Sequence, residues 1–276
     1  MSKRTYITAA RLAAIRAAIR PIDWALLSDV ERLNLASGDQ LSRLHFQDNA
    51  NGRRMARLDL LSLVERGLIT RIGRQIGGRR AGSKGFVYGL AIAGRRLVGP
   101  KAARPREPWT PNSNNLKHAL AVSELYTQLR GIEERGDFTL ERFDAEPRCW
   151  RTFYGPGGSR LILKPDAYAV TATTDYIDSW FVEVDRSTES ATRISDKAKV
   201  YCRYWQSGRE QASEGVFPTV LFIVPDTKRK AQLIDVLSRL PADQWQLFRV
   251  ATAESAAQAM TTGELINNNQ QEEVTI

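Results

Sequence analysis

Apolar positions recur with a helical period through the first hundred residues and then change to short strand-like runs. In IDWALLSDVERLNL, residues Trp24, Leu27, Val30 and Leu33 or Asn34 return every three or four positions, which predicts a helix. In ASGDQLSRLHF, Ser37 or Asp39 is placed to cap a short helix carrying Leu41 and Leu44. In NGRRMARLDLLSLVERGLITRI, residues Met55, Leu58, Leu61 and Val64 make one stripe. Arg53, Arg54 and Arg57 lie off it at the N-terminal end, and Gly67 is placed to stop the helix. LITRI then turns to strand composition, GRQIGGRRAGSKG is a glycine-rich basic tip, and FVYGL returns as a second strand. An earlier helix, at about 8–19, carries Leu12, Ile15 and Ile19 on one face and would extend this domain or dimerise it.

GPKAARPREPWTPNSNN holds four prolines and cannot be one regular element, so a domain boundary falls there. Beyond it a helix is expected at about 113–133, with an apolar arc of Ala119, Val122, Leu125, Tyr126 and Leu129. Strand-like runs follow in FTLERFDAE, CWRTFY, RLILKPDAYAV and SWFVEVDR. A helix is expected at about 191–206, then the strand TVLFIVP, a helix in KRKAQLIDVLSRL and a last strand in WQLFRVAT. The expected class is α+β or α/β, a sheet flanked by helices behind a smaller N-terminal domain. The domains read as 1–99, a linker at 100–112, a core at 113–262 and a polar tail at 263–276.

Charge sharpens this division. Residues 1–106 hold 21 Lys and Arg against 7 Asp and Glu, a net of +14, whereas residues 107–276 carry −5. No acid occurs between Arg66 and Arg106. A field of this sign attracts a polyanion and supplies phosphate contacts. Helix, turn, helix and basic hairpin, in that order, match a winged helix-turn-helix. The expected double-stranded DNA contacts are Arg53, Arg54 and Arg57 on the third helix, and Arg71, Arg74, Arg79, Arg80 and Lys84 along the hairpin. No run approaches a membrane span, and the arginine-interrupted N-terminus lacks a signal-peptide core. Cys149 and Cys202 have no CxxC spacing, which suits free thiols in a reducing cytoplasm.

The chemistry is carried by LKPDAYAV and FVEVDR. Alternate residues of a strand share a face. Lys164, Asp166 and Tyr168 are therefore expected on one side of their strand, and Phe181, Glu183 and Asp185 on one side of theirs. If the two strands are neighbours, Asp166 and Glu183 converge and offer oxygen ligands to Mg²⁺ or Mn²⁺. A bound metal would polarise a phosphodiester and acidify a water. A basic partner is also needed. Lys197 shares a helical stripe with Ile194, Ala198, Tyr201, Tyr204 and Trp205, so it faces the sheet, where Asp185 or Glu183 could pair with it. Lys164 competes for the same role. Glu124 is a further candidate metal ligand from the flank of its helix, and His118 reads as a core histidine or a catalytic one.

PIDWALLSDVERLNLASGDQLSRLHF, RLDLLSLVERGLI, GSKGFVYGL, HALAVSELY, RFDAEP, LKPDAY, FVEVDRSTES and KVYCRYWQSG together resemble the replication-relaxation proteins of bacterial plasmids and integrated mobile elements. The resemblance implies a winged helix joined to a domain similar to the PD-(D/E)xK nucleases, and partners from plasmid replication or transfer. It matches Asp166 to that superfamily's aspartate and Glu183 to its second acid. Asp185 stands where the lysine is usual, and Lys197 is the substitute that a migrated lysine would give. Two functions follow. One is a metal-dependent DNA nickase or endonuclease. The other is a non-catalytic DNA-binding initiator or regulator in which Asp185 and Lys197 form a structural pair. A relaxase of the histidine-metal, tyrosine-nucleophile type is disfavoured, because His45 and His118 are the only histidines. No P-loop pattern is present.

Overall fold

The computed structural model describes residues 7–74, 85–99, 112–136 and 138–262. It divides into two compact units, residues 1–127 and 128–276. Among the described residues no helix is long and apolar enough to cross a membrane. The expected tail at 263–276, most of the linker and the tip residues Arg79, Arg80 and Lys84 lie outside the described residues.

The first unit runs α1 (Ala9–Ala17), α2 (Pro21–Leu33), β1 (Leu35–Ser37), α3 (Gly38–His45), α4 (Ala50–Glu65), β2 (Ile69–Arg74), β3 (Phe86–Leu90) and α5 (Ile92–Val98). Helix α6 (Ser113–Glu133) begins in this unit and ends in the second. Proline opens α2, where its missing N–H costs nothing. Ser37 and Gln40 form a reciprocal capping box on α3. Gly67 takes φ +69°, the left-handed conformation that ends α4. Strands β1, β3 and β2 pair antiparallel in that order, with a bulge between Arg71 and Gly73.

The core of this unit is Leu26, Leu27, Val30 and Leu33 against Leu41, Leu60, Leu63 and Val87. The stripe of Met55, Leu58, Leu61 and Val64 is not the buried face of α4. Met55, Leu58 and Leu61 are 41%, 49% and 39% exposed. Ala56, Asp59, Leu60 and Leu63 point inward instead. A small residue and a charged one disguised the true face. Asp59 is tolerated there because Arg20 donates to it at 2.7 Å. Arg20 also donates to Asp23 at 2.6 Å, and Arg66 reaches the same carboxylate at 2.8 Å. This fully buried aspartate thus ties the start of α2 to the end of α4.

The second unit contains β4 (Thr139–Ala145), β5 (Arg151–Tyr154), a 3₁₀ turn (Pro156–Gly158), β6 (Arg160–Leu163), β7 (Ala167–Ala172) and β8 (Ile177–Val184). Then come α7 (Ala191–Gln206), α8 (Arg209–Glu214), β9 (Thr219–Val224), α9 (Thr227–Leu237), α10 (Ala242–Trp245), β10 (Phe248–Thr252) and α11 (Ala256–Thr262). A five-stranded mixed sheet has the order β10-β9-β8-β7-β4. The first three strands are parallel, and β7 and β4 run antiparallel to their neighbours. Tyr168, Phe181, Val220, Phe222 and Phe248 on one sheet face pack with Ile194, Ala198 and Tyr201 of α7 and Leu233 and Leu237 of α9. The class is therefore α+β with a mixed sheet.

RLILKPDAYAV is not one strand. It divides into β6, which pairs only with β5 in a two-stranded ribbon, and β7, which joins the large sheet. Pro165 causes the break: it lacks a ladder donor and restricts the residue before it. Lys164 and Asp166 therefore do not share a strand face.

Replacing Asp23 by alanine is expected to destabilise the protein by about 3 kcal/mol, because Arg20 and Arg66 lose a buried partner. Urea unfolding measures it. Burial opposes ionisation of Asp23, but the hydrogen bonds from Arg20 and Arg66 outweigh it and hold the carboxyl below its usual range. Its contribution is present above the ordinary aspartate pKa and disappears as pH falls through the depressed one. The variant should accordingly lose less stability than wild type on acidification below about pH 4.

Candidate functional site

The break that removes Lys164 from the sheet is also what presents Asp166. Strand pairing places Ala167 opposite Val182, and the Asp166 amide continues the ladder by donating to the Val182 carbonyl at 3.0 Å. The Asp166 carbonyl accepts from the Glu146 amide at 3.0 Å, and the Cys149 thiol donates to the Pro165 carbonyl at 2.9 Å. The Asp166 side chain then accepts from the Val184 amide at 2.7 Å. Three backbone contacts and one thiol thus hold Asp166 beside Glu183, near the C-terminal end of the central strand β8.

Glu183 is 2% exposed. Lys197 donates to its Oε2 at 2.8 Å, and the Tyr201 hydroxyl donates to its Oε1 at 2.6 Å. The two donors stand four residues apart on α7, so one helix face delivers both. Lys197 also meets Glu189 at 3.3 Å. Ser190 caps the helix, which fixes where this face begins.

Asp185 lies one residue beyond β8 and is 4% exposed. Its partner is Arg229 of α9, whose guanidinium also donates to the Glu189 carbonyl at 2.7 Å. An Asp185–Lys197 pair is therefore absent: the lysine takes Glu183, and the arginine takes Asp185. Asp185 is buried as well, so it too needs a cation, and Arg229 near the start of α9 supplies it.

Burial and the nearby negative charge of Asp166 push the Glu183 carboxyl up to about 7, against the opposing pull of Lys197 and Tyr201. Burial alone would lower the Lys197 pKa, but the charges of Glu183 and Asp166 outweigh it and raise it. The Tyr201 hydroxyl is raised well above its usual value by burial and by Glu183. The site thus holds one permanent cation, one acid that titrates near neutrality and one further carboxylate.

Asp166 and Glu183 are hard oxygen donors of the kind magnesium accepts, one or two carboxylates with the remaining positions left to water or phosphate. Among the described residues no group of three or more His, Cys, Asp or Glu side chains is placed to hold a metal ion. Asp166 and Glu183 would be its only protein ligands here, with no closed protein cage among the described residues.

The other candidates lie elsewhere. Glu124 accepts from Arg43 and, at 3.1 Å, from Gln40 within the first unit. Lys164 is exposed and sits over the Trp150 ring at 4.8 Å. His118 is half-buried on α6. Arg54 and Arg57 are exposed on α4, as is Arg53, which pairs with Asp48 at 2.7 Å. Arg71 lies over the Phe86 ring at 4.2 Å, and Arg74 ends β2. Sequence reading gave no role to Tyr201, Cys149, Glu189 or Arg229. Tyr201 carried a usable signal, an i+4 spacing from Lys197 on the same stripe. Arg229 carried none, because it stands in a run of three cations whose exposed members look the same.

The replication-relaxation family model matches residues 27–220, more than two thirds of the chain, and the chain belongs to that family. No curated protein and no solved structure matches it.

The Glu183 carboxyl is expected to titrate near pH 7, as followed by carbon NMR of labelled glutamate side chains or by difference infrared spectroscopy. Asp166→Asn removes a like charge and should move that titration downward. Tyr201→Phe removes a donor to the carboxylate and should move it upward. A Glu183 signal indifferent to both changes would contradict the geometry.

Proposed function

We propose that this member of the replication-relaxation family acts on plasmid or mobile-element DNA. Its first unit binds the duplex, and its second attacks the phosphodiester backbone in a magnesium-dependent cut. The observation that carries this reading is the Lys197 ammonium, 2.8 Å from a buried Glu183 that lies across the strand ladder from Asp166. A lysine beside two carboxylates, one titrating near neutrality, is an uncommon arrangement for structural ends alone.

The first unit is read as a winged helix. Helices α2, α3 and α4 precede the β2–β3 hairpin in that order. The exposed Arg54 and Arg57 stand on the third of these helices, which supports groove entry by α4. Arg53 joins them at little cost, because its pair with Asp48 is exposed on both sides.

In the second unit, Asp166 and Glu183 are the ligands for magnesium, which when bound supplies charge stabilisation and an acidified water. The chain's own groups do the rest. The Val184 amide holds Asp166 in place. Tyr201 fixes the orientation of Glu183. Lys197 keeps a positive charge at the site, available to an oxygen that gains charge as the phosphodiester breaks. Asp185 stands apart from these steps, held by Arg229.

One observation favours a second reading. Both oxygens of Glu183 already accept from internal donors, as they would in a non-catalytic scaffold that only holds DNA. Incubation with supercoiled plasmid and Mg²⁺ separates the two. Wild type should give open-circle or linear product. Asp166→Ala, Glu183→Ala and Lys197→Ala should each slow that conversion at least about 100-fold. EDTA should stop it, because the cut requires the metal. Unaltered conversion by Asp166→Ala refutes the cutting reading. No conversion by wild type, with duplex binding intact, selects the scaffold.

A further inference from the structure

The two-stranded ribbon of β5 and β6 has two chemically different faces. Its register pairs Arg151 with Leu163, Thr152 with Ile162, Phe153 with Leu161 and Tyr154 with Arg160. Phe153 and Leu163 point into the core of the second unit, and Arg151 sits on that side bound to the buried Glu210 at 3.0 Å. The opposite face is exposed and is not filled by anything in its own unit. Tyr154 is 61% exposed, Ile162 40% and Trp150 36%. Thr152, Arg160 and Lys164 are exposed beside them.

The composition of that face is selective. Each exposed ring stands opposite a cation: Tyr154 faces Arg160 in the ladder, and the Lys164 ammonium lies over the Trp150 ring at 4.8 Å. No aspartate or glutamate occurs from Arg148 to Pro165. This holds in a half of the chain that is otherwise net acidic. Positive charge without a compensating acid suits a phosphate chain. Exposed rings suit bases whose faces are free, which a duplex, with its bases stacked inside, does not offer. The ribbon also runs straight into the candidate site, since Lys164 is followed by Pro165 and Asp166.

The geometry points to the outer face of this ribbon as a binding surface for single-stranded DNA. Trp150 and Tyr154 stack on unpaired bases, Ile162 forms an apolar floor between them, and Arg160 and Lys164 hold the phosphates. It deepens the reading of this chain as a DNA-acting protein: the strand that reaches Asp166 is unpaired, as in a melted stretch of a supercoiled plasmid.

The test is fluorescence anisotropy with the full-length protein in EDTA, where no cutting occurs. The probes are a labelled oligothymidylate of about 20 nucleotides and a duplex of the same length. The Trp150→Ala/Tyr154→Ala variant should bind the single strand roughly 100-fold more weakly, about tenfold for each ring, and bind the duplex within about twofold of wild type. Trp150→Phe/Tyr154→Phe should recover most of the loss. Arg160→Gln/Lys164→Gln should weaken single-strand binding and reduce its salt dependence by about one to two phosphate contacts. This exposed pair carries the test by itself should the aromatic variant fail to fold. Wild-type single-strand affinity in the variants, the result expected of a protein-docking face, overturns the proposal. An equal loss on strand and duplex overturns it as well. Plasmid conversion by the same variants is assayed separately in Mg²⁺, so failure to cut plasmid and failure to bind the strand are read separately.

Discussion

A carboxylate buried near the end of a central strand is the constraint on which the second unit turns. Glu183 is almost wholly removed from water, and an isolated charge there would cost several kcal/mol. The structure offsets that cost from one direction. Helix α7 delivers a lysine and a tyrosine from a single face, and each takes one oxygen. The same face packs Ile194, Ala198 and Tyr201 into the core, so the polar pairing fixes the rotation of a helix whose apolar residues already hold it to the sheet. Moving either donor to another face would leave one oxygen of the acid without its partner.

The compensation is incomplete, and the remainder gives the site its character. Asp166 is held beside Glu183 by its own backbone hydrogen bonds to Val182 and Glu146 and by the Val184 amide on its carboxylate. Burial first, and then the negative charge of Asp166, outweigh Lys197 and Tyr201 and drive the Glu183 pKa toward neutrality. Asp185 is buried next to the same strand end but has its own arginine and takes no part in that balance. The first unit answers a similar problem differently. Asp23 is equally buried, but two arginines meet it, so its acidity increases instead of falling. One cation shared between two acids and two cations converging on one acid shift a buried carboxyl in opposite directions.

Most helices were legible from residue spacing. The span of α7, the span of α6, the Ser37 cap and the Gly67 stop followed from local chemistry that needs no distant partner. The inward face of α4 did not. Its true face contains Ala56 and Asp59, and only the reach of Arg20 from another helix makes Asp59 a buried residue. The strand reading failed at Lys164 for a comparable reason. Pro165 is a local mark of a break in RLILKPDAYAV, but nothing local says that the two pieces join different sheets.

The sequence by itself determined the inventory: a basic first part, acids at Asp166 and Glu183 in strand-forming runs, and a lysine on an apolar helical stripe. Composition and periodicity are properties of neighbours along the chain, so they are readable there. Tertiary structure decided the pairings. Whether Lys197 took Glu183 or Asp185, whether Glu124 served a metal or Arg43, and whether Trp150 and Tyr154 were buried or exposed all depend on which surfaces meet. Those choices are set by contacts between segments distant in sequence, and a charge that looks the same in every candidate pair carries no local mark of its partner.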